Sequence, residues 1–126
     1  MAHLAARKKD KMIREVYINE TNCITPLGFD VASNIEAILR GDSGIQLHQD
    51  ISLMPNPFYA SVISSEKLNS AFEKISNDNK YSRLEKMMIL ALEPMIKNSG
   101  IELNSKTAFI LSTTKGNVTA LKENSE

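Results

Sequence analysis

Residues 16–45, VYINETNCITPLGFDVASNIEAILRGDSGI, place a β-forming run, a Thr-Pro-Leu-Gly turn, a capped amphipathic run and a Gly-rich exit in fixed order. The turn is the strongest constraint. Pro26 fixes φ and lacks an N–H, and with Gly28 it closes the strand that precedes it. Upstream, Val16, Ile18 and Ile24 share one parity, which predicts a strand over 16–24. Asn19, Glu20, Thr21 and Asn22 interrupt that run with polar groups that need partners wherever they are buried. Downstream, Asp30 is placed to accept from the free N–H groups of a first helical turn. Val31, Ile35, Ile38 and Leu39 then follow at one-face spacing, and Gly41 supplies the left-handed stop, which predicts a helix over 30–40.

The rest of the chain alternates in the same manner. The stretch 50–57 holds Pro55 and Pro57 and reads as a loop, and 58–64 alternates as a strand at or near a sheet edge. Ser65 is a cap for a short helix carrying Leu68, Ala71, Phe72 and Ile75, followed by a polar break over 76–80. Ser82 and Glu85 have the spacing of a capping box. Leu84, Met87, Met88, Leu90, Ala91, Leu92, Met95 and Ile96 behind them predict a helix over 82–98, apolar nearly all round. Pro94 lacks the N–H that would reach the Leu90 carbonyl, which predicts a kink or an early last turn, with Gly100 ending the element. Ala108, Phe109, Ile110 and Leu111 form a continuous apolar run, so 107–114 is expected as an internal parallel strand covered on both faces. A further helix is expected to begin around Val118 and Leu121.

At 126 residues, 42% hydrophobic and 24% charged, the chain has the composition of one soluble domain with a modest core. Its zero net charge combines a basic start, with Arg7, Lys8, Lys9, Lys11 and Arg14 against Asp10, and an acidic remainder. Residues 1–11 read as a flexible basic extension or as sequence left from upstream, solvated and not a nucleic-acid arm, and Met12 is a plausible natural start. Residues 12–126 form the folded part. No apolar run has the roughly 20 residues of a membrane span, and no apolar segment follows the basic start as in a secretory signal. Cys23 is the single cysteine, so no internal disulfide forms, and a reducing, cytoplasmic setting is the default.

Candidate chemistry is sparse. His3 and His48 stand apart, and no Cys/His/Asp group has metal-ligand spacing. Thr113-Thr114-Lys115-Gly116-Asn117 lacks the leading glycine and the Gly-Lys-Ser/Thr order of a phosphate loop and reads as a turn leaving a strand. The sequons at Asn19 and Asn117 mean nothing without a secretory signal. Cys23, beside Ile24, reads as a small hydrophobe of the core and not as a nucleophile. Met87, Met88 and Met95 have the spacing of core packing.

Thr25-Pro26-Leu27-Gly28, then Leu39, then Gly41, Ser43, Gly44 and Ile45 resemble the opening of the β-ketoacyl-acyl-carrier-protein synthases, condensing enzymes of the thiolase superfamily. Ser82-Arg83 resembles the start of that family's arginine-bearing helix, and 107–116 its second core strand, so the likeness covers most of residues 12–121. One departure stands out: Glu20 and Asn22 occupy the positions of the family's usual glycine pair. The resemblance implies an α/β fold, the N-terminal part of a thiolase-like layered αβαβα architecture, with a mixed sheet of three to four strands and helices packed on it. It implies a parent that performs decarboxylative Claisen condensation of an acyl group with malonyl-acyl carrier protein in fatty acid, polyketide or polyene biosynthesis, or a non-catalytic chain-length partner of such an enzyme. Acyl carrier protein and a homodimer partner are expected for that parent, with no nucleic acid, membrane or cofactor. The family's reacting cysteine and its two histidines fall later than residue 126. No residue of this chain is therefore expected at a catalytic, cofactor-binding or metal position, and the isolated chain is expected to be inactive and prone to self-association. A free-standing small α/β binding module is the alternative.

Overall fold

The computed structural model describes residues 15–52 and 54–117. It is an α/β arrangement: helix α1 (Val31–Leu39), strands β1 (Ile45–His48) and β2 (Phe58–Ser61), then helices α2 (Ser65–Glu73) and α3 (Arg83–Ser99). The two strands form an antiparallel sheet in which Ile45 pairs with Ser61 and His48 with Phe58. The His48 and Phe58 rings stack across that last pair, 5.4 Å between centroids.

The helices begin and end where local chemistry dictates. Asp30 caps α1, accepting from the Ser33 N–H at 2.8 Å and the Ser33 hydroxyl at 2.6 Å. At the other end Gly41, at φ +79°, donates to Ile38 O, and the N–H of Asp42 reaches back to Ala37 O, a Schellman closure. Ser82 and Glu85 form the expected reciprocal capping box of α3, and Gly100 ends that helix in the left-handed region. The cap of α2 is Ser64, one residue before the expected Ser65; the Ser65 hydroxyl accepts from Arg83 instead. Helix α3 runs on to Ser99 through Pro94, so the last turn does not come early. Asn22 donates to the Ala91 carbonyl at 3.2 Å, next to the Leu90 carbonyl that Pro94 leaves without its helical donor.

The core is small. Leu68 and Phe72 of α2 are buried toward α3, with Tyr81 edge-on to Phe72 at 5.3 Å and the Lys86 ammonium over the same ring. Ala37 and Asn34 are the buried residues of α1. That face differs from the expected one: Ile35, Ile38 and Leu39 are 51%, 63% and 81% exposed. The cause is rotational. The Asn34 amide bonds inward to the preceding turn, so the buried face is centred on Asn34 and Ala37, with Ile35 and Leu39 on the far side of the helix and Ile38 at its margin.

The sheet departs most from expectation. Strand β1 was not indicated by the turn and helix signals, and β2 stops at Ser61 and not at 64. Neither 16–24 nor 107–114 is a strand. Both are instead laid along α3. Asn19 donates to Ser99 O and Asn22 to Ala91 O, so 19–22 run against the helix direction. Thr107 lines a cleft with Ile96 and Ser99, and Asn117 donates to the Ser82 hydroxyl at the opposite end, so 107–117 also run against it. From Thr107 to Asn117 the chain takes ten steps beside a helix of about 25 Å, an average rise of about 2.5 Å per residue, between helical and fully extended. The two segments point the same way on one helix, in the sense of a βαβ unit. A cleft of about 360 Å3, with Tyr17–Glu20 on one wall and Leu103 and Thr107 on the other, lies between them near the α3 C-terminus. The expected helix after Val118 and the basic extension at 1–11 lie outside the described residues.

Candidate functional site

The most closely determined part of the molecule is the joint around Thr25–Gly28. Thr25 and Gly28 exchange backbone bonds, at 2.9 and 3.3 Å, across a turn with Pro at its second position and Gly at its fourth. The Thr25 hydroxyl accepts from the Leu27 N–H at 3.0 Å and donates to the Asn34 side-chain oxygen. The Asn34 amide nitrogen then donates to three carbonyls, those of Asp30 at 2.7 Å, Gly28 at 3.0 Å and Cys23 at 3.4 Å. One buried side chain therefore ties the end of the first segment, the turn and the helix cap together.

Two glycines hold this joint closed. A Cβ on Gly28 would stand 2.5 Å from the Ser33 Cβ and 3.2 Å from the Asn34 nitrogen, so only glycine fits against the first turn of α1. A Cβ on Gly44 would stand 3.3 Å from the Ser61 hydroxyl, 3.5 Å from Pro26 and 3.6 Å from Leu27. The Gly-Asp-Ser-Gly exit is thus folded back onto the Thr-Pro-Leu-Gly turn and the end of β2. The two sequence motifs are one structural unit.

A cleft of about 490 Å3 opens beside this unit, with Pro26, Leu27 and Phe29 on one side and α2 on the other. Ser64, Glu66, Lys67, Ser70 and Lys74 line it from α2 and its two caps, so charges of both signs border its apolar residues. At the far side of the joint, the Arg83 guanidinium donates to Ser65 Oγ at 2.9 Å and to the carbonyl of Ile63, fixing the start of α3 to the cap of α2.

Cys23 enters this network through its backbone: its N–H donates to the Asn22 side chain and its carbonyl accepts from Asn34. It is half-buried, and His48, with its Nε2 3.3 Å from Ala60 O, sits in the β1–β2 hairpin. Among the described residues no group of three or more His, Cys, Asp or Glu is arranged to hold a metal ion. The 113–117 stretch is a local turn, in which the Gly116 N–H donates to the Thr113 hydroxyl. No helix among the described residues is long and apolar enough to cross a membrane.

Sequence reasoning did not single out Asn34. Its one signal was an Asn in mid-helix, where that side chain competes for backbone groups and is a poor helix former. Asn22 stands where a glycine was expected, and its side chain is used, reaching Ala91 O and the Cys23 N–H. Comparison with protein-family models, with curated proteins and with solved structures finds no match to this chain.

Proposed function

We propose that this chain is the opening segment of a β-ketoacyl-acyl-carrier-protein synthase-like condensing enzyme, with the thiolase-like layered fold as its parent architecture. The observation that carries the reading is the contact of Gly44 with Pro26 and Leu27, which joins the two motifs of the resemblance in space. The common direction of 19–22 and 107–117 on α3 supports it, since that is the sense in which two strands of a parallel core sheet flank a helix. In the parent, an acyl group would be carried on a cysteine and malonyl-acyl carrier protein would lose CO2 between two histidines. The resulting carbanion would attack the thioester, its oxyanion held by backbone N–H groups. The segment described here would supply scaffold to that site and none of its reacting groups. Acyl carrier protein and a homodimer partner belong to the same proposal.

The coding sequence beyond Glu126 is the direct test. A continuation with a cysteine at a sharp strand-to-helix turn and two later histidines supports the proposal, and a stop codon at that point overturns it. The 126-residue chain itself is expected to give no condensation product with acyl- and malonyl-carrier protein. Mass spectrometry showing turnover above the protein-free control, or stoichiometric acylation of Cys23, would contradict that. A free-standing binding module is the second reading, favoured by the open 490 Å3 cleft between the turn and α2.

A further inference from the structure

Ala108 to Ser112 make no hydrogen bond to any described residue, and Phe109, Ile110 and Leu111 are 64%, 88% and 53% exposed. The unmet groups are the backbone N–H and C=O of five consecutive residues outside any helix or strand, so the complement they fit is another strand, in preference to a helix or a small ligand. The other segment along α3 is less suited to pairing with itself. It carries Glu15 and Glu20 and is already fastened to α3 through Asn19 and Asn22. Residues 107–114, TAFILSTT, hold no charge, no Pro and no Gly and are rich in β-branched and aromatic side chains.

We propose that residues 107–114 are a self-pairing edge through which two copies of the 126-residue chain join as an antiparallel strand pair centred on Ile110. In that register Ile110 lies opposite itself, Phe109 opposite Leu111 and Thr107 opposite Thr113. Cross-strand aromatic–aliphatic pairs are favourable. Lys106 falls opposite Thr114 and not Lys115, so no like charges oppose each other directly. The pairing is isologous and closes at two copies. A seven-residue strand pair, 107–113 on each copy, covers less than the roughly 800 Å2 per partner of a standard stable interface, so the dimer dissociates on dilution. This inference does not rest on the condensing-enzyme reading. In a longer parent the same edge would be covered within the chain, and the dimer is a property of the 126-residue chain.

Size-exclusion chromatography with light scattering across a concentration series tests it. Wild type is expected to shift from monomer to dimer, and Ile110→Lys to raise the dissociation constant by about tenfold or more, because a charge then opposes its own copy at the two-fold axis. The Ile110 side chain lies in solvent, so the helical circular dichroism of this variant is expected to match wild type. A second readout keeps the result independent of folding. In a Cys23→Ser background, Ile110→Cys is expected to oxidise to a disulfide-linked dimer, since directly opposed antiparallel residues bring their Cβ atoms near disulfide reach. Ile35→Cys in the same background is expected to remain monomeric. A monomer at every concentration, a dimer indifferent to Ile110→Lys, or cross-linking through position 35 in preference to 110 would each overturn the proposal.

Discussion

Asn34 carries more of this structure than its size suggests. It is buried, it accepts from Thr25, and its amide nitrogen serves the carbonyls of Cys23, Gly28 and Asp30. Replacing it with Leu keeps the volume but strands those carbonyls, and an unsatisfied buried polar group costs about 1–3 kcal/mol. Chemical denaturation of Asn34→Leu is expected to show a loss of that order; an unchanged midpoint would mean the hub is not formed. Gly28 and Gly44 give a graded pair. Gly28→Ala forces a 2.5 Å contact onto the Ser33 Cβ, which the rigid first turn of α1 cannot relieve, so a loss of about 1–3 kcal/mol is expected. Gly44→Ala meets the Ser61 hydroxyl and the side chains of Pro26 and Leu27 at 3.3 Å or more, all able to shift slightly, and its melting temperature is expected to fall less. The glycines were legible as turn markers from the sequence. Asn34 was not, because its partners are carbonyls up to 11 residues upstream and nothing in the local pattern points to them.

At the scale of elements, the helices were readable and, of the expected strands, only that beginning at Phe58 formed, for one physical reason. A helix closes its hydrogen bonds within itself, so caps and periodicity set its bounds: Asp30 starts α1, the Ser82–Glu85 box starts α3 and Gly100 ends it. A strand is completed by its neighbour. The apolar run at 108–111 therefore looked like a core strand, yet among the described residues no strand pairs with it, while the Ile45/Leu47 alternation found one in β2. Removing the cap hydroxyl in Ser82→Ala is expected to lower stability by about 1 kcal/mol, read from denaturant melts. The caps also set a pH dependence. Hydrogen bonds from Ser33 hold the Asp30 carboxyl below its ordinary value, and those from Ser82 do the same for Glu85. A carboxylate with a lower pKa folded than unfolded adds stability above the unfolded value of about 4, and that stability is lost as the pH falls through the folded value. Helical circular dichroism is therefore expected to decline on acidification below about pH 4. Asp30→Asn with Glu85→Gln is expected to flatten that decline without abolishing it, since Asp50, bonded to Ser52, and Asp78, bonded to Lys80, are lowered in the same direction.

Across the whole molecule, a small core sits beside a wide apolar exterior. Among the described residues the fully buried apolar side chains are Ala37, Leu68 and Phe72, whereas the outer face of α1, the segment at Val16–Ile18 and the run at 109–111 remain open to solvent. Composition gave no hint of this, because 42% hydrophobic content is compatible with either distribution. What decides it is whether the segments flanking α3 acquire strand partners, and among the described residues neither 16–24 nor 107–114 has one. Stability then rests heavily on the α2–α3 contact. Leu68→Ala removes buried volume from its centre, a change that costs about 2–5 kcal/mol in protein cores. A domain's entire net stability is of the order of 5–15 kcal/mol, and a core of this size belongs near or below the lower end. Leu68→Ala is therefore expected to abolish cooperative thermal unfolding, whereas Leu39→Ala, on the exposed face of α1, leaves the transition within about 0.5 kcal/mol of wild type. Calorimetry of the two variants separates the cases. A sharp transition retained in Leu68→Ala, or lost in Leu39→Ala, would show that the weight of the fold lies on the α1 face instead.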